Sequence, residues 1–195
     1  MNSPNPPLIL ASGSPRRREI LGRLGAPFSV EPSGVDETPQ PGEGAESLAE
    51  RLALSKARDV ASRHDEGLVI GADTVVAREG RIYGKPRDAA DAAEMLRLLR
   101  DGQHLVVTGL AVVRASDGAT RTTVVPAAVR MRPYGDEEIA AYVATGEPLD
   151  KAGAYGAQGE GAALIARIDG PFLTVVGLPI DELIPLLREL GFDGA

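Results

Sequence analysis

The sequence predicts an α/β domain, and three observations predict it. Strand-like and helix-like patterns alternate along the 195 residues with no internal repeat. Leu68 to Ala77 and the stretch from His104 to Arg132 are rich in β-branched residues, the composition of buried strands. Outside those stretches, Leu48, Leu52 and Ala53, and then Ala92, Met95, Leu96 and Leu99, recur at the spacing of one helix face. The chain reads as one domain over residues 1–195. Its first residues, 1–7 ("MNSPNPP"), read as a disordered lead-in without the basic start and apolar core of a signal peptide.

The elements follow in order. Leu8 to Ala11 is a short apolar strand. Ser14 is placed as an N-cap and Pro15 as the first helical residue, with Ile20, Leu21 and Leu24 on the apolar face before Gly25. Phe28 to Val30 reads as a second strand, and "PSGVDETPQPGEG", with its prolines and glycines around Asp36 and Glu37, as a loop. A helix is expected from Ala45 to His64, then a strand from Leu68 to Ala77 and a tight turn at Glu79–Gly80. Asp88 caps a helix through Arg100. Two strands then meet at Asp117–Gly118, and Pro126 marks an edge or a bulge in the second. Asp136 to Thr145 reads as a helix and "DKAGAYGAQGEGA" as a Gly-rich loop. Leu164 to Ile168 and Phe172 to Val176 read as strands, and Ile180 to Leu190 as the closing helix.

Composition excludes several functions. A net charge of −7 and a pI near 4.9 disfavour a general binder of nucleic acid or anionic membrane, so a polyanionic ligand must meet local positive charge. Aromatic residues make up 4% of the chain and Trp is absent, which leaves little to stack single-stranded bases. The lack of Cys excludes disulfides, thiolate zinc sites and cysteine nucleophiles and suits a reducing cytoplasm. No apolar run reaches the roughly 20 residues of a membrane span, so a soluble intracellular protein is expected.

The chemistry lies in the polar residues that interrupt these elements. "ASGSPRRREIL" sets three arginines at a helix start, where unpaired N–H groups and the helix dipole favour an anion. Ser14 and Pro15 are fully accounted for by capping, and surface arginines are ordinarily solvated. The alternative is a phosphate seat in which arginine forks match phosphate oxygens. In "IGADTVV", Asp73 and Thr74 break an apolar strand, and a carboxylate there is costly without a partner or a metal. Taken singly, Glu37 reads as a solvated loop acid, and Lys56 and Lys85 as solvated lysines, with Pro86 stiffening the turn at Lys85. The Gly-rich loop reads as a flexible connection or as a wrap for a base, with Gln158 able to donate and accept hydrogen bonds. His64 and His104 fall in no metal or triad spacing.

Together, "LILASGSPRRREIL", "LALSKA", "VIGADTVV", "YGKPRDAADAAEMLRLL" and "YVATGEPLDKAGAYGAQGEGA" closely resemble the Maf family of nucleoside triphosphate pyrophosphatases, in order and over nearly the whole chain. The resemblance implies hydrolysis between the α and β phosphates with a divalent metal, Mg²⁺ first and Mn²⁺ as substitute. It also implies an elongated mixed α/β fold with a cleft between two lobes, related to the inosine-triphosphate pyrophosphatases, and a cytoplasmic homodimer. By the same resemblance Ser12, Ser14, Arg16 and Arg17 line the phosphate site. Glu37, Lys56, Asp73 and Lys85 complete it; the general base is one of the two carboxylates, Asp73 first and Glu37 as the alternative, and both are candidate metal ligands.

Subtype positions refine the implication. Family members that prefer dTTP and UTP resemble this chain at Arg16, Thr74 and Gln158, whereas the 7-methyl-GTP subtype tends to carry Trp, Gln and Glu there. A carboxamide at 158 offers both donor and acceptor to the imide edge of uracil or thymine. CTP and modified pyrimidine nucleotides are further candidates, with a house-cleaning and cell-division-arrest role. The alternatives are a 7-methyl-GTP pyrophosphatase and a nucleotide-binding regulator of septum formation without turnover.

Overall fold

The computed structural model describes residues 5–194. Among them the order is β1 (Leu8–Leu10), α1 (Pro15–Gly22), β2 (Phe28–Val30), α2 (Ala45–Ala61), β3 (Leu68–Arg78), β4 (Arg81–Tyr83) and α3 (Ala89–Leu99). Then come β5 (Gln103–Arg114), β6 (Thr120–Met131), α4 (Asp136–Ala144), β7 (Ile165–Asp169), α5 (Phe172–Val176) and α6 (Ile180–Glu189). The strands form one seven-stranded mixed sheet of order β2-β1-β3-β5-β6-β7, with β4 paired to β3. β1 runs parallel to both β2 and β3, while β3–β4 and β6–β7 are antiparallel.

Local signals account for many boundaries. Ser14 Oγ accepts the Arg17 N–H and Asp88 Oδ1 the Asp91 N–H, so both expected caps form. The β3–β4 turn puts Glu79 and Gly80 at φ of 52° and 78°, the paired left-handed geometry of a tight hairpin. Pro126 lies two residues before Ala128, where the β6–β7 register begins, so its missing N–H costs that pairing nothing.

The chain divides into two compact units. One holds the described residues through Asp73, Thr108–Val125, and the residues from Gly177 on; the other holds Thr74–Val107 and Pro126–Val176. In the first, α2 packs on the sheet around Ile9, Val69, Ala53, Ala57 and Val60. Two glycines set the approach: a Cβ at Gly71 would run into the Ala53 carbonyl, and one at Gly109 into the Ala49 carbonyl. The second unit has its own core, centred on Leu96, Leu99, Met131, Tyr134 and Ile139.

Three expectations change. Phe172–Val176 is a helical turn rather than a strand; Thr174 N–H bonds the Pro171 carbonyl at 3.1 Å, and a β-branched composition did not outweigh that local turn. The Gly-rich segment is not a free loop: 3₁₀ turns cover Glu147–Asp150 and Gly159–Leu164, and between them Gly153 and Ala154 turn the chain at φ of 70° and 59°. Of the expected lead-in, residues 1–4 lie outside the described residues. Pro7 instead accepts the Leu68 N–H, and Asn5 Oδ1 accepts the Asp193 N–H at 2.8 Å.

Candidate active site

The first unit gathers the basic turn, one loop acid, one helix lysine and one strand acid. After β1, Ala11 N–H bonds the Ile70 carbonyl, and the chain turns through Ser12–Ser14 into α1. Ser12 Oγ accepts hydrogen bonds from Ser14 N–H and from Arg17 Nη1, each at 3.3 Å. Arg17 Nε donates to the Gly177 carbonyl at 2.9 Å, so this guanidinium is held from two sides. Arg16 is half-buried beside it, and Arg18 is exposed. Burial pulls the Arg17 pKa below its usual value while Asp73 and Glu37 pull it back up, and Arg16 adds to the lowering.

The loop before α2 fixes Glu37. Asp36 Oδ1 accepts the Thr38 N–H at 2.9 Å and its hydroxyl at 2.6 Å, which closes a turn around residue 37. Arg51 on α2 reaches back to the Thr38 carbonyl and to both Glu43 oxygens; its bonds to Glu43, with the Gln40 N–H, hold that carboxyl down to about 2. Asp36 is therefore spent on the turn, which leaves Glu37 to face Lys56.

Lys56 stands on the buried face of α2, in line with Leu52, Ala53 and Val60. Its Nζ lies 2.6 Å from Asp73 Oδ1 and 2.7 Å from Glu37 Oε1. The Lys56 and Asp73 side chains are 8% and 11% exposed, against 51% for Glu37, so the pair is desolvated at one end and open at the other. Desolvation raises the Asp73 pKa, and Glu37 adds to the rise. Lys56 and Arg17 oppose it without cancelling it. The site thus offers a carboxylate poised to take a proton, beside cations that suit phosphate oxygens.

The remaining expected residues belong to the second unit. Thr74 is half-buried in β3, Lys85 is exposed between β4 and α3, and Gln158 is half-buried just before Gly159–Leu164. Lys56 carried a legible signal that single-residue reasoning passed over: it occupies a core position in the run Leu52, Ala53, Lys56, Ala57, Val60. The Gly177 carbonyl that fixes Arg17 had none, because 160 residues separate the two.

Among the described residues, no three His, Cys, Asp or Glu side chains gather as a ready metal cage. Asp73 and Glu37 nevertheless converge on one cation already, the Lys56 ammonium. Two hard carboxylates, completed by phosphate oxygens and water, are a donor set that suits Mg²⁺. The residues present therefore fit the ion.

A family model described as "Maf-like protein" matches residues 7–190. The dTTP/UTP pyrophosphatase of Moorella thermoacetica is 51% identical over 186 residues, 95% of this chain and 96% of that one. The dTTP/UTP pyrophosphatase of Dictyoglomus turgidum is 45% identical over 95% of this chain and 96% of its own. That of Geobacter sulfurreducens is 49% identical over 94% and 96%.

Proposed function

Since the chain belongs to the Maf-like protein family, we propose that it is a nucleoside triphosphate pyrophosphatase acting on dTTP and UTP, releasing the monophosphate and pyrophosphate. The observation that carries the reading is the buried Lys56 ammonium shared by Asp73 and Glu37 beside Arg17.

Asp73 is the general base. Its raised pKa, caused by desolvation, makes it a better proton acceptor than an exposed aspartate. It takes the proton from a water whose oxygen attacks a phosphorus of the α–β anhydride. As the P–O bond to the leaving group breaks, negative charge passes to pyrophosphate, where Arg17 and Lys56 stabilise it. Arg16, Ser12 and Ser14 seat the phosphate chain at the start of α1. Glu37 and Asp73 would hold Mg²⁺, or Mn²⁺ in its place, which supplies charge neutralisation to the phosphate oxygens when bound. The motif match, rather than any geometry, adds Lys85 for phosphate charge and Thr74 and Gln158 for recognition of the nucleotide. A cytoplasmic homodimer belongs to the same proposal. No helix among the described residues is long and apolar enough to cross a membrane.

Pyrophosphate release from dTTP, UTP, CTP, GTP and 7-methyl-GTP, with Mg²⁺, with Mn²⁺ and with EDTA, tests the reading. Metal-dependent release that favours dTTP and UTP supports it. Preference for 7-methyl-GTP overturns the substrate assignment, and no release from folded protein overturns the activity.

A further inference from the structure

The Gly-rich segment is wound around a single side chain. Glu147 follows α4 and Gly146, whose φ of 76° turns the chain. Its carboxylate accepts hydrogen bonds from the Tyr142 hydroxyl at 3.0 Å, the Glu160 N–H at 3.0 Å and the Gly161 N–H at 3.2 Å. The Tyr142 oxygen in turn accepts the Gly156 N–H at 3.1 Å. These bonds grip the backbone on both sides of Gln158, two residues before it and two after.

Crowding explains the glycines. A Cβ at Gly159 would lie 2.6 Å from Glu147 Oε2, and one at Gly161 2.5 Å from the Tyr142 oxygen. A Cβ at Gly156 would lie 2.9 Å from Lys151 Cε and 3.1 Å from Glu147 Oε1. A carboxylate and a phenol thus fill the space inside the turn, and side chains there are excluded. Lys151 Nζ fixes the other end of the residue by donating to the Glu147 carbonyl at 2.6 Å. Burial works against the charged form of Glu147. The N–H groups of Glu160 and Gly161, then Tyr142 and Lys151, outweigh it and hold the carboxyl below its usual range. At neutral pH Glu147 is an acceptor only, which is what two converging N–H groups require.

We propose that Glu147, with Tyr142, is the positioning residue for Gln158, holding Gly156–Gly161 in the one shape that presents the carboxamide to the nucleotide base. The proposal rests on Gln158 reading the base. Glu147 itself touches neither base nor phosphate; it acts through the backbone. A carboxamide at 147 keeps the volume but turns one acceptor oxygen into a donor facing an N–H, so the turn loosens while the core around Ile139 stays packed.

Steady-state kinetics of E147Q, Q158A and the double variant test this. E147Q is expected to raise KM for dTTP and UTP about tenfold, to narrow the preference over CTP, and to change kcat by no more than about twofold. In the Q158A background the same substitution should change KM by less than about twofold, because the residue it positions is gone. Y142F retains the carboxylate and is expected to act in the same direction, by about threefold; it serves as the test if E147Q fails to fold. Independent, multiplicative effects in the double variant, or a fall in kcat at constant KM, overturn the proposal while leaving base reading by Gln158 intact. A Q158A variant with unchanged base preference overturns both.

Discussion

Lys56 on α2 and Asp73 on β3 form a nearly buried ion pair with 2.6 Å between Nζ and Oδ1. Such pairs seldom exist for stability: replacing one by well-packed apolar residues is often neutral or stabilising by about 1–4 kcal/mol. Burial here leaves Asp73 with a raised pKa, and the same ammonium also holds Glu37. The arrangement maintains charge in a desolvated place, which suits catalysis on a polyanion better than it suits folding.

Asp73→Asn is expected to abolish turnover, by at least about 10³-fold in kcat, while the melting temperature stays within a few degrees. Lys56 keeps Glu37 as a partner, and a buried charge that was costly is removed. Pyrophosphate release and a thermal melt of the same preparation check it. Unfolding of the variant would make Asp73 a structural residue.

Lys56→Met should shift the acid limb of kcat/KM to higher pH. Lys56 is the largest influence lowering the Asp73 pKa, so its loss lets desolvation raise that pKa further. Asp73 then becomes protonated, and useless as a base, at a higher pH than in the parent protein. A pH–rate profile reads the shift directly; an unmoved limb would assign the base to another group.

Gly71→Ala should cost on the order of 3 kcal/mol, at the upper end of overpacking penalties. The added Cβ meets the Ala53 carbonyl, which is helix backbone and cannot rotate away. Gly71 and Asp73 share one face of β3, so pushing α2 outward also separates Lys56 from Asp73. Denaturant unfolding and kcat/KM should fall together.

His104 predicts an acid-side loss of stability. It is buried at 3% exposure, Tyr155 Oη lies 2.7 Å from Nε2, and Nδ1 is buried without a hydrogen-bond partner. Desolvation, with Arg78 nearby, lowers its pKa to about 4. The unfolded chain therefore binds the proton first, near pH 6.5. The stability conferred by neutral His104 is complete above that pH and lost as pH falls from about 6.5 to about 4, with a total of about 3 kcal/mol. His104→Gln should flatten that part of the stability–pH curve; an unchanged slope would place the dependence elsewhere.

What was legible in the sequence was local. Ser14 and Asp88 announced their helices because a cap bonds within three residues of itself. Glu79–Gly80 announced its hairpin because only a tight turn needs two consecutive positive φ angles. Phe172–Val176 misled for the same reason in reverse: its composition suits a strand, but Pro171 ahead of it supplies the carbonyl that closes a helical turn. The Gly-rich segment looked featureless because its organiser, Glu147, bonds residues 13 and 14 positions ahead, a spacing that belongs to no periodic pattern.

By itself the sequence determined the α/β class, the order of most elements, the family resemblance and the set of charged residues that carry it. Tertiary structure alone decided that Lys56 is a buried partner rather than a solvated lysine, that Asp36 closes a turn while Glu37 faces the cation, and that Arg17 is fixed by Gly177. The reason is that charge chemistry depends on desolvation and distance. Both arise only when α2 settles onto β3 through Gly71, a contact that no run of neighbouring residues encodes.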